Sequence, residues 1–469
     1  MLHSLESQPE KAIVEIPRGG IYVVDAMATI QKVDVKKLPG ERTFLNLAHV
    51  LLRRIVNLAR GNGSNEIHFV ADTYRDQSIK NAERAKRAVG GSQVIRVYGQ
   101  AIPLQWKKFL SCGKNKEALL QYLYDTWKTV KMCDVHGVKV YYAHGSKCDI
   151  FYAIPGNTAD QIVEVHEVLE LNSTQEEADT RLYLHAAYAA KTCSDVIIVS
   201  PDTDVLVIGV SLQPLIAAHL YFHTGKGADL RTIDIKAIQE SIGDDVRQSL
   251  IGLHCFTGCD IVSAFYGRGK TKAFNLLLND KNLCSAFKDL GERFDLLPEM
   301  IVLLEKFVCK LYGQHDVEQV NVARYNMFRL ARKSENAMPP NQDALTQHIK
   351  RANYQAGIFK RSLQATPDVP SPQHHGWKIE DGNLVVDWMT LPPAPDSVME
   401  LAHCTSSFKK SSRSDASKCT CLVNNVPCTD LCNCARKTCS NIAGQASFED
   451  DEEDDDDDHE AAEFDIEED

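Results

Sequence analysis

The chain has 469 residues, of which 44% are hydrophobic and 25% are charged, a balance typical of globular proteins. This composition excludes collagen-like, fully disordered and coiled-coil proteins, and the length suffices for about two or three domains. The net charge of −12 comes from the tail 449–469, which carries 16 acidic residues and no Lys or Arg, so that the rest of the chain carries +4. We expect this tail to be disordered and either to solvate the protein or to bind basic partner proteins.

No targeting or membrane segment is evident. The N-terminus lacks the basic and apolar regions of a secretory signal, and the most apolar stretch, 205–222, is interrupted by polar residues and a proline. We therefore expect a soluble protein without membrane association. Its 15 cysteines should then lie in a reducing compartment, as free thiols or as metal ligands.

Short β-branched runs alternate with amphipathic segments from residue 20 to about residue 278. This pattern predicts an α/β fold in which a mainly parallel twisted sheet has helices on both faces. The predicted strands are 21–25, 67–72, 94–98, 138–143, 196–200 and 205–210. The predicted helices are 42–60, 78–89, 116–131 and 176–191, and residues 221–233 are predicted to form an antiparallel hairpin that turns at 225–227.

The pattern changes after this region. Residues 297–365 are predicted to be mostly helical, and the Pro-rich stretch 366–395 is predicted to be irregular. The predicted domains are a leader (1–19), an α/β domain (20–285), a helical extension (286–365), a linker (366–403), a cysteine-rich module (404–441) and the acidic tail (449–469).

Acidic residues stand where predicted strands end, where a helix begins or in a turn. There are seven of them: Asp25, Asp72, Glu177, Asp179, Asp202, Asp204 and Asp260. In an open α/β sheet, functional groups gather at the carboxyl ends of the strands, so these acids could converge in one crevice. Carboxylates so close would repel one another unless cations neutralised them, and oxygen ligands suit two Mg²⁺ or Mn²⁺ ions that assist a phosphodiester displacement. Turn and N-cap chemistry is the simpler explanation of each acid, and Thr174 and Glu177 have the spacing of a capping box.

Two basic segments could contact phosphates. Lys80, Arg84 and Arg87 recur at helical spacing, so they would line one face of the predicted helix just after Asp72 and present cations to a scissile phosphate. A solvated surface helix is the alternative. The second segment contains two glycines that free the backbone to approach a phosphate and two lysines that add charge: Gly267, Gly269, Lys270 and Lys272.

The order and spacing of the acids resemble those of a known family. The segments IYVVDAM, HFVADTYR, EEADTRL, SPDTDVLVI and TGCD resemble the acidic blocks of the flap-endonuclease-like 5′ nucleases, which belong to the PIN-like superfamily. SIKNAERAKR resembles the gateway helix of that family, and FYGRGKTKAFNLL resembles the glycine-rich turn of its helix-two-turn-helix element, here at about 258–280. The resemblance implies that the seven acids hold two metal ions, that Lys80 and Arg87 steady the phosphate, and that the glycine-rich turn holds one strand of a duplex.

Seven of the cysteines lie between positions 404 and 439. They are Cys404, Cys419, Cys421, Cys428, Cys432, Cys434 and Cys439. Such density in a reducing compartment indicates thiolate coordination of Zn²⁺, with incidental thiols as the alternative. The run CTCLVNNVPCTDLCNCARKTCSN is similar to the second half of a tesmin-type CXC domain, which implies a DNA-binding module with one or two zinc ions. Three further metal-ligand types, His254, Cys255 and Cys259, lie close together but lack a fourth ligand and are expected to be buried core residues.

These patterns together predict a nuclear, metal-dependent phosphodiesterase of the 5′ nuclease type that acts on nucleic acid, with DNA favoured, and that is tethered to DNA by its zinc module. Two alternatives stay open. One is a catalytically inactive PIN-like scaffold that binds DNA or chromatin and derives from a mobile element. The other is a 5′ to 3′ exoribonuclease, because phosphates and metal ions do the same work on RNA.

Overall fold

The computed structural model describes residues 1–74, 78–80, 93–154, 158–329 and 337–392. The predicted zinc module, the acidic tail, Arg84 and Arg87 lie outside these residues. Across the described ranges, no helix has both the length and the apolarity that crossing a membrane requires.

A nine-stranded sheet forms the centre of the described part of the chain. Its strands are β1 (Ile13–Val14), β2 (Ile21–Asp25), β3 (Glu66–Val70), β4 (Lys139–His144), β5 (Lys147–Tyr152), β6 (Glu164–Glu167), β7 (Asp195–Val199), β8 (His219–Thr224) and β9 (Arg231–Asp234). Their spatial order is β1-β9-β8-β7-β2-β3-β4-β5-β6. The strands from β8 to β4 run parallel, and antiparallel pairs extend both edges, so the sheet is mixed but mostly parallel at its centre.

Helices connect and follow the strands. In the described residues they are α1 (Leu2–Glu6), α2 (Ala26–Gln31), α3 (Phe44–Gly61), α4 (Trp106–Leu110), α5 (Gly113–Trp127), α6 (Met132–Val135), α7 (Ala178–Ala189), α8 (Thr203–Leu212), α9 (Ile235–Ile242), α10 (Asp244–Phe256), α11 (Lys270–Asn279), α12 (Cys284–Asp289), α13 (Pro298–Leu311), α14 (Val320–Arg329) and α15 (Gln342–Lys360). The last three helices confirm that the described residues of the range 297–365 are mostly helical.

Both faces of the central sheet are buried. Successive side chains of a strand point to opposite faces, and in β2 the side chains of Tyr22 and Val24 pack with α3 and α5. Ile21 and Val23 pack with α7, α8, α9 and the later helices on the other face. The predicted α/β class, with helices on both faces, is therefore confirmed. Eight predicted segments are confirmed with small boundary shifts. They are the strands β2, β3, β4 and β7, the hairpin β8–β9 and the helices α3, α5 and α7.

One predicted strand is a helix. Residues 205–210 lie inside α8, which begins after Asp202, whose side chain accepts the backbone N–H of Asp204 at 2.8 Å. Every residue from position 205 to position 212 is buried. A helix that is buried on all sides shows no alternation of polar and apolar residues, so its β-branched run looks like a buried strand.

Residues 94–98 do not belong to the sheet, although they were predicted to form a strand. Val94 and Tyr98 are 60% and 57% exposed, and the backbone N–H of Ile95 donates to the Asn115 side chain at 2.8 Å rather than to a neighbouring strand. The apolar residues of this segment therefore do not line a sheet face.

The linker contains a hairpin that the prediction omitted. Trp377–Glu380 and Asn383–Val386 pair as β10 and β11, and the turn residues Asp381 and Gly382 have φ of +50° and +77°. An Asp-Gly pair of this kind favours a tight hairpin turn, so the signal was present in the sequence. The strands β5 and β6 and the helix α10 were also absent from the prediction.

Candidate active site

Three of the candidate acids lie at the carboxyl ends of neighbouring parallel strands. Asp25 is the last residue of β2, Asp72 follows β3, and Asp202 follows β7. Strand β2 lies between β3 and β7, so the chain leaves β2 on one side and returns on its other side. Such a reversal of strand order opens a crevice at the carboxyl ends. The topology of the sheet thus brings these three acids to one edge.

Each of these acids also accepts a backbone N–H at the start of a helix. Asp25 accepts from α2 at 3.0 Å, Asp202 accepts from α8 at 2.8 Å, and Asp72 accepts from Ala178, the first residue of α7, at 2.8 Å. The turn and N-cap explanation therefore holds for Asp25 and Asp202, but not for Asp72, whose bond joins residues 106 positions apart. A second role stays open for all three, because a carboxylate has two oxygens with several acceptor positions.

The capping-box explanation of Glu177 is wrong. Glu177 is itself the N-cap residue of α7, and its side chain makes no capping bond. Its carboxylate Oε2 instead lies 2.9 Å from the ammonium Nζ of Lys80. Glu177 and Asp179 are both buried, with 9% and 7% of their surface exposed, so neither is a solvated acid at a helix start.

Lys80 lies at the centre of the acids. Its Nζ is 2.9 Å from Glu177, 3.6 Å from Asp179 and 3.6 Å from Asp260. Its charge also acts on the remaining four acids, which are Asp25, Asp72, Asp202 and Asp204. Burial alone would lower the pKa of Lys80, but Glu177 and the neighbouring carboxylates raise it well above its usual value. The ammonium of Lys80 thus contacts three of the seven predicted acids and interacts electrostatically with the other four.

A single ammonium does not neutralise this cluster. Burial, followed by repulsion from Asp72, raises the pKa of Asp25 to about 6. Burial, followed by repulsion from Asp204, raises the pKa of Asp202 to about 7. The pKa of Asp179 is also well above its usual value, because burial outweighs the attraction of Lys80. Burial and mutual repulsion thus disfavour the charged form of these carboxyl groups.

The chemistry of the donors fits divalent cations. Carboxylate oxygens are the ligands that Mg²⁺ and Mn²⁺ prefer, and such ions would favour the charged form of the acids. Within the described ranges, however, no three His, Cys, Asp or Glu side chains are already arranged to hold a metal ion. The ammonium of Lys80 contacts oxygens of three of the acids. A metal ion and the ammonium would therefore compete for the same carboxylates.

Asp204 has a different environment from the other acids. Nε2 of His254 lies 2.7 Å from Oδ1 of Asp204, and Nζ of Lys270 lies 2.9 Å from Nδ1 of His254. Burial alone would raise the pKa of Asp204, but His254 and Lys270 lower it to about 2. The sequence prediction did not assign this role to His254, because α10 was not predicted and its contact joins residues 50 positions apart.

The glycine-rich turn precedes α11. Gly267 has a φ of +61°, where glycine is favoured, and a Cβ at Gly267 or Gly269 would meet no atom within 4 Å. The surface beside this backbone is therefore open. Lys272 is exposed, whereas the ammonium of Lys270 points inward to His254.

No protein-family model matches the sequence, and no curated protein matches it. Among solved structures, the chain is similar to the catalytic core of Rad2 in complex with DNA substrate (complex III), with 15% identity and a TM-score of 0.34, over 77% of this chain and 98% of that chain. A second structure, complex II of the same catalytic core with DNA substrate, gives 15% identity and a TM-score of 0.32 over 74% of this chain and 93% of that chain. At these scores, only the residues and contacts of this chain carry the interpretation of its site.

Proposed function

We propose that this protein is a divalent-metal-dependent phosphodiesterase that cleaves nucleic acid, with DNA as the favoured substrate. The observation that carries the proposal is the contact of the Lys80 ammonium with three carboxylates, and its electrostatic interaction with four more, near the carboxyl edge of a parallel sheet. A cluster of acids with raised pKa values is costly to a fold, and such clusters are typical of functional sites.

The seven acids would hold two Mg²⁺ or Mn²⁺ ions. When bound, these ions would supply positive charge beside the phosphate and a water molecule that is activated near neutral pH. Asp25, Asp72 and Asp202 are suited to hold metal ions in fixed positions, because backbone N–H groups orient their carboxylates.

Lys80 would change partners during the reaction. Its ammonium lies among the acids and could turn to a phosphate oxygen once cations neutralise the carboxylates, where it would stabilise the charge of the transition state. Arg87, outside the described residues, is proposed to act on the same phosphate. The open turn at Gly267 and Gly269 and the exposed Lys272 would contact the nucleic-acid backbone.

The cysteine-rich module would act as a tether. We infer that its seven cysteines hold one or two Zn²⁺ ions and that the folded module binds DNA without sequence preference, in a nuclear protein. This part of the proposal is supported by the cysteine spacing alone.

A second candidate function is a nucleic-acid-binding scaffold without catalysis. The contacts of Lys80 favour it, because an ammonium that permanently occupied the acid cluster would exclude a metal ion. Binding of Mn²⁺ distinguishes the two functions, since the enzyme needs the ion and the scaffold does not.

The proposal is tested by incubating the full chain with end-labelled flap, nicked and single-stranded DNA and with single-stranded RNA, in Mg²⁺ and in EDTA. We expect cleavage in Mg²⁺ only, and the preferred substrate identifies the class of nuclease. Binding of these nucleic acids without cleavage in either buffer would support the scaffold instead.

A further inference from the structure

We propose that Lys270 and His254 form a positioning chain that holds the carboxylate of Asp204 in one orientation and connects it to the glycine-rich turn. This inference rests on the proposed function, because it assigns Asp204 to the metal ions. The three side chains come from three different helices, and none of their contacts follows from local sequence.

The three side chains form a continuous chain whose central residue, His254, is buried. Asp204 lies in the first turn of α8, His254 lies near the end of α10, and Lys270 is the first residue of α11. The distances are 2.7 Å from Asp204 Oδ1 to His254 Nε2 and 2.9 Å from His254 Nδ1 to Lys270 Nζ. His254 is 1% exposed, so water does not compete for its ring nitrogens.

The chemistry of the three groups fixes the direction of the bonds. The carboxylate of Asp204 has only acceptors, so Nε2 of His254 carries the ring proton and donates it to Oδ1. Nζ of Lys270 lies 2.9 Å from Nδ1 and 3.5 Å from Nε2 of the same ring, so the ammonium packs over the ring beside Nδ1. Lys270 is itself held in place, because it also donates to the backbone carbonyl of His254 at 3.1 Å. Lys270 thus holds the ring whose Nε2–H Asp204 requires.

The bond to Oδ1 determines how Asp204 presents its second oxygen. A carboxylate is planar, so a donor on one oxygen restricts the direction of the other. The backbone N–H of Asp204 donates to Asp202 at 2.8 Å, which links these two acids directly. Groups that orient metal ligands in this way commonly change metal affinity or activity by about 10- to 100-fold when they are removed.

The chain also reaches the proposed nucleic-acid contact. Lys270 follows Gly269 directly, so a movement of the glycine-rich turn would shift the lysine, and with it His254 and Asp204. The two lysines after the turn therefore have different surroundings. Lys270 contacts His254 in the interior, and Lys272, two positions later, is exposed to solvent, where it can meet a substrate.

The test is the affinity of the full-length protein for Mn²⁺ without nucleic acid, measured by titration calorimetry. We expect H254L to weaken Mn²⁺ binding by about 10- to 100-fold, because Asp204 loses its orienting donor. H254Q should recover most of this loss, since its amide N–H can replace Nε2–H. K270M should cause a smaller loss, because the ring keeps its bond to Asp204 but loses the ammonium that packs against it.

The matched control is H348L. His348 is also a buried histidine whose Nε2 lies 2.7 Å from an oxygen, the carbonyl of Phe256, but it has no contact with the acids. Mn²⁺ affinity should be unchanged in H348L. Circular dichroism and thermal melting of each variant verify that it is folded. If H254L does not fold, the Mn²⁺ affinity of K270M is compared with that of the wild type instead.

Wild-type Mn²⁺ affinity in folded H254L, or in K270M if H254L does not fold, would overturn the inference and leave the proposed function intact. Equal losses in H254L and H348L would also overturn it, because removal of any buried histidine would then suffice. If the unmodified protein binds no Mn²⁺, the proposed function fails first and the inference fails with it.

Discussion

Replacing Lys80 with Met should destabilise the protein when no divalent cation is present. The change keeps most of the side-chain volume and removes a positive charge that lies within 3.6 Å of Glu177, Asp179 and Asp260. The lysine side chain is 16% exposed and the carboxylates of Glu177 and Asp179 are about as buried, so solvent would not replace the ammonium.

Removal of one partner from a buried ion pair costs about 3–5 kcal/mol. Some of the acids here can take up protons once the ammonium is gone, because the pKa of Asp202 is already about 7. We therefore expect a loss at the lower end, about 3 kcal/mol in the free energy of unfolding at pH 7. Mn²⁺ should restore much of this loss, and K80M should bind Mn²⁺ more tightly than the wild type because no ammonium competes for the oxygens.

The assay is urea unfolding of the wild type, K80M and K131M, each in EDTA and in Mn²⁺. Lys131 provides the control, since it forms a single ion pair with Asp160 at 2.8 Å and both side chains are exposed. K131M should show no measurable change in either buffer. The reasoning is refuted if K80M is as stable as the wild type in EDTA, or if Mn²⁺ stabilises both proteins equally.

Three further predictions concern stability and nucleic-acid binding. Burial lowers the pKa of His348 from 6.5 to about 4. The contribution of His348 to stability is therefore fully present above about pH 6.5 and is lost as the pH falls toward 4. Between these pH values, the free energy of unfolding of H348Q in urea should change by about 3 kcal/mol less than that of the wild type. Deletion of 404–448 should weaken DNA binding in a salt-sensitive way, measured by fluorescence anisotropy, without abolishing cleavage of short substrates. Truncation after Phe448 should tighten DNA binding in the same assay, most strongly at low salt, because the 16 acidic residues of the tail no longer compete with phosphates.

The placement of several acids could be predicted because it depends on local rules. Asp25 and Asp72 follow runs whose β-branched residues form buried parallel strands, and the ends of parallel strands meet at one edge of the sheet. The position of Asp202 could be predicted from the same rule, although the segment after it is a helix and not a second strand. The wrong assignment of residues 205–210 did not affect this prediction, because Asp202 precedes them.

The contacts between distant segments could not be predicted. Lys80 was expected to face a phosphate, and no local pattern indicates that it contacts Glu177 and Asp260. His254 lies on α10, and its contact with Asp204 forms only when α10 packs against α8. Tertiary packing decides both contacts, so periodicity and spacing carry no signal for them.

The central claim is that the acid cluster hydrolyses phosphodiester bonds, and a double variant tests it most directly. Asp202→Asn and Asp204→Asn together remove two carboxylate charges and leave the glycine-rich turn and Lys272 unchanged. The measurement is the single-turnover rate of cleavage of end-labelled DNA in Mg²⁺, with anisotropy to follow binding. We predict cleavage by the wild type, loss of cleavage in the double variant, and similar DNA binding by both. Mg²⁺-dependent cleavage by the double variant at the wild-type rate, or no cleavage by the wild type on any substrate tested, would contradict the claim.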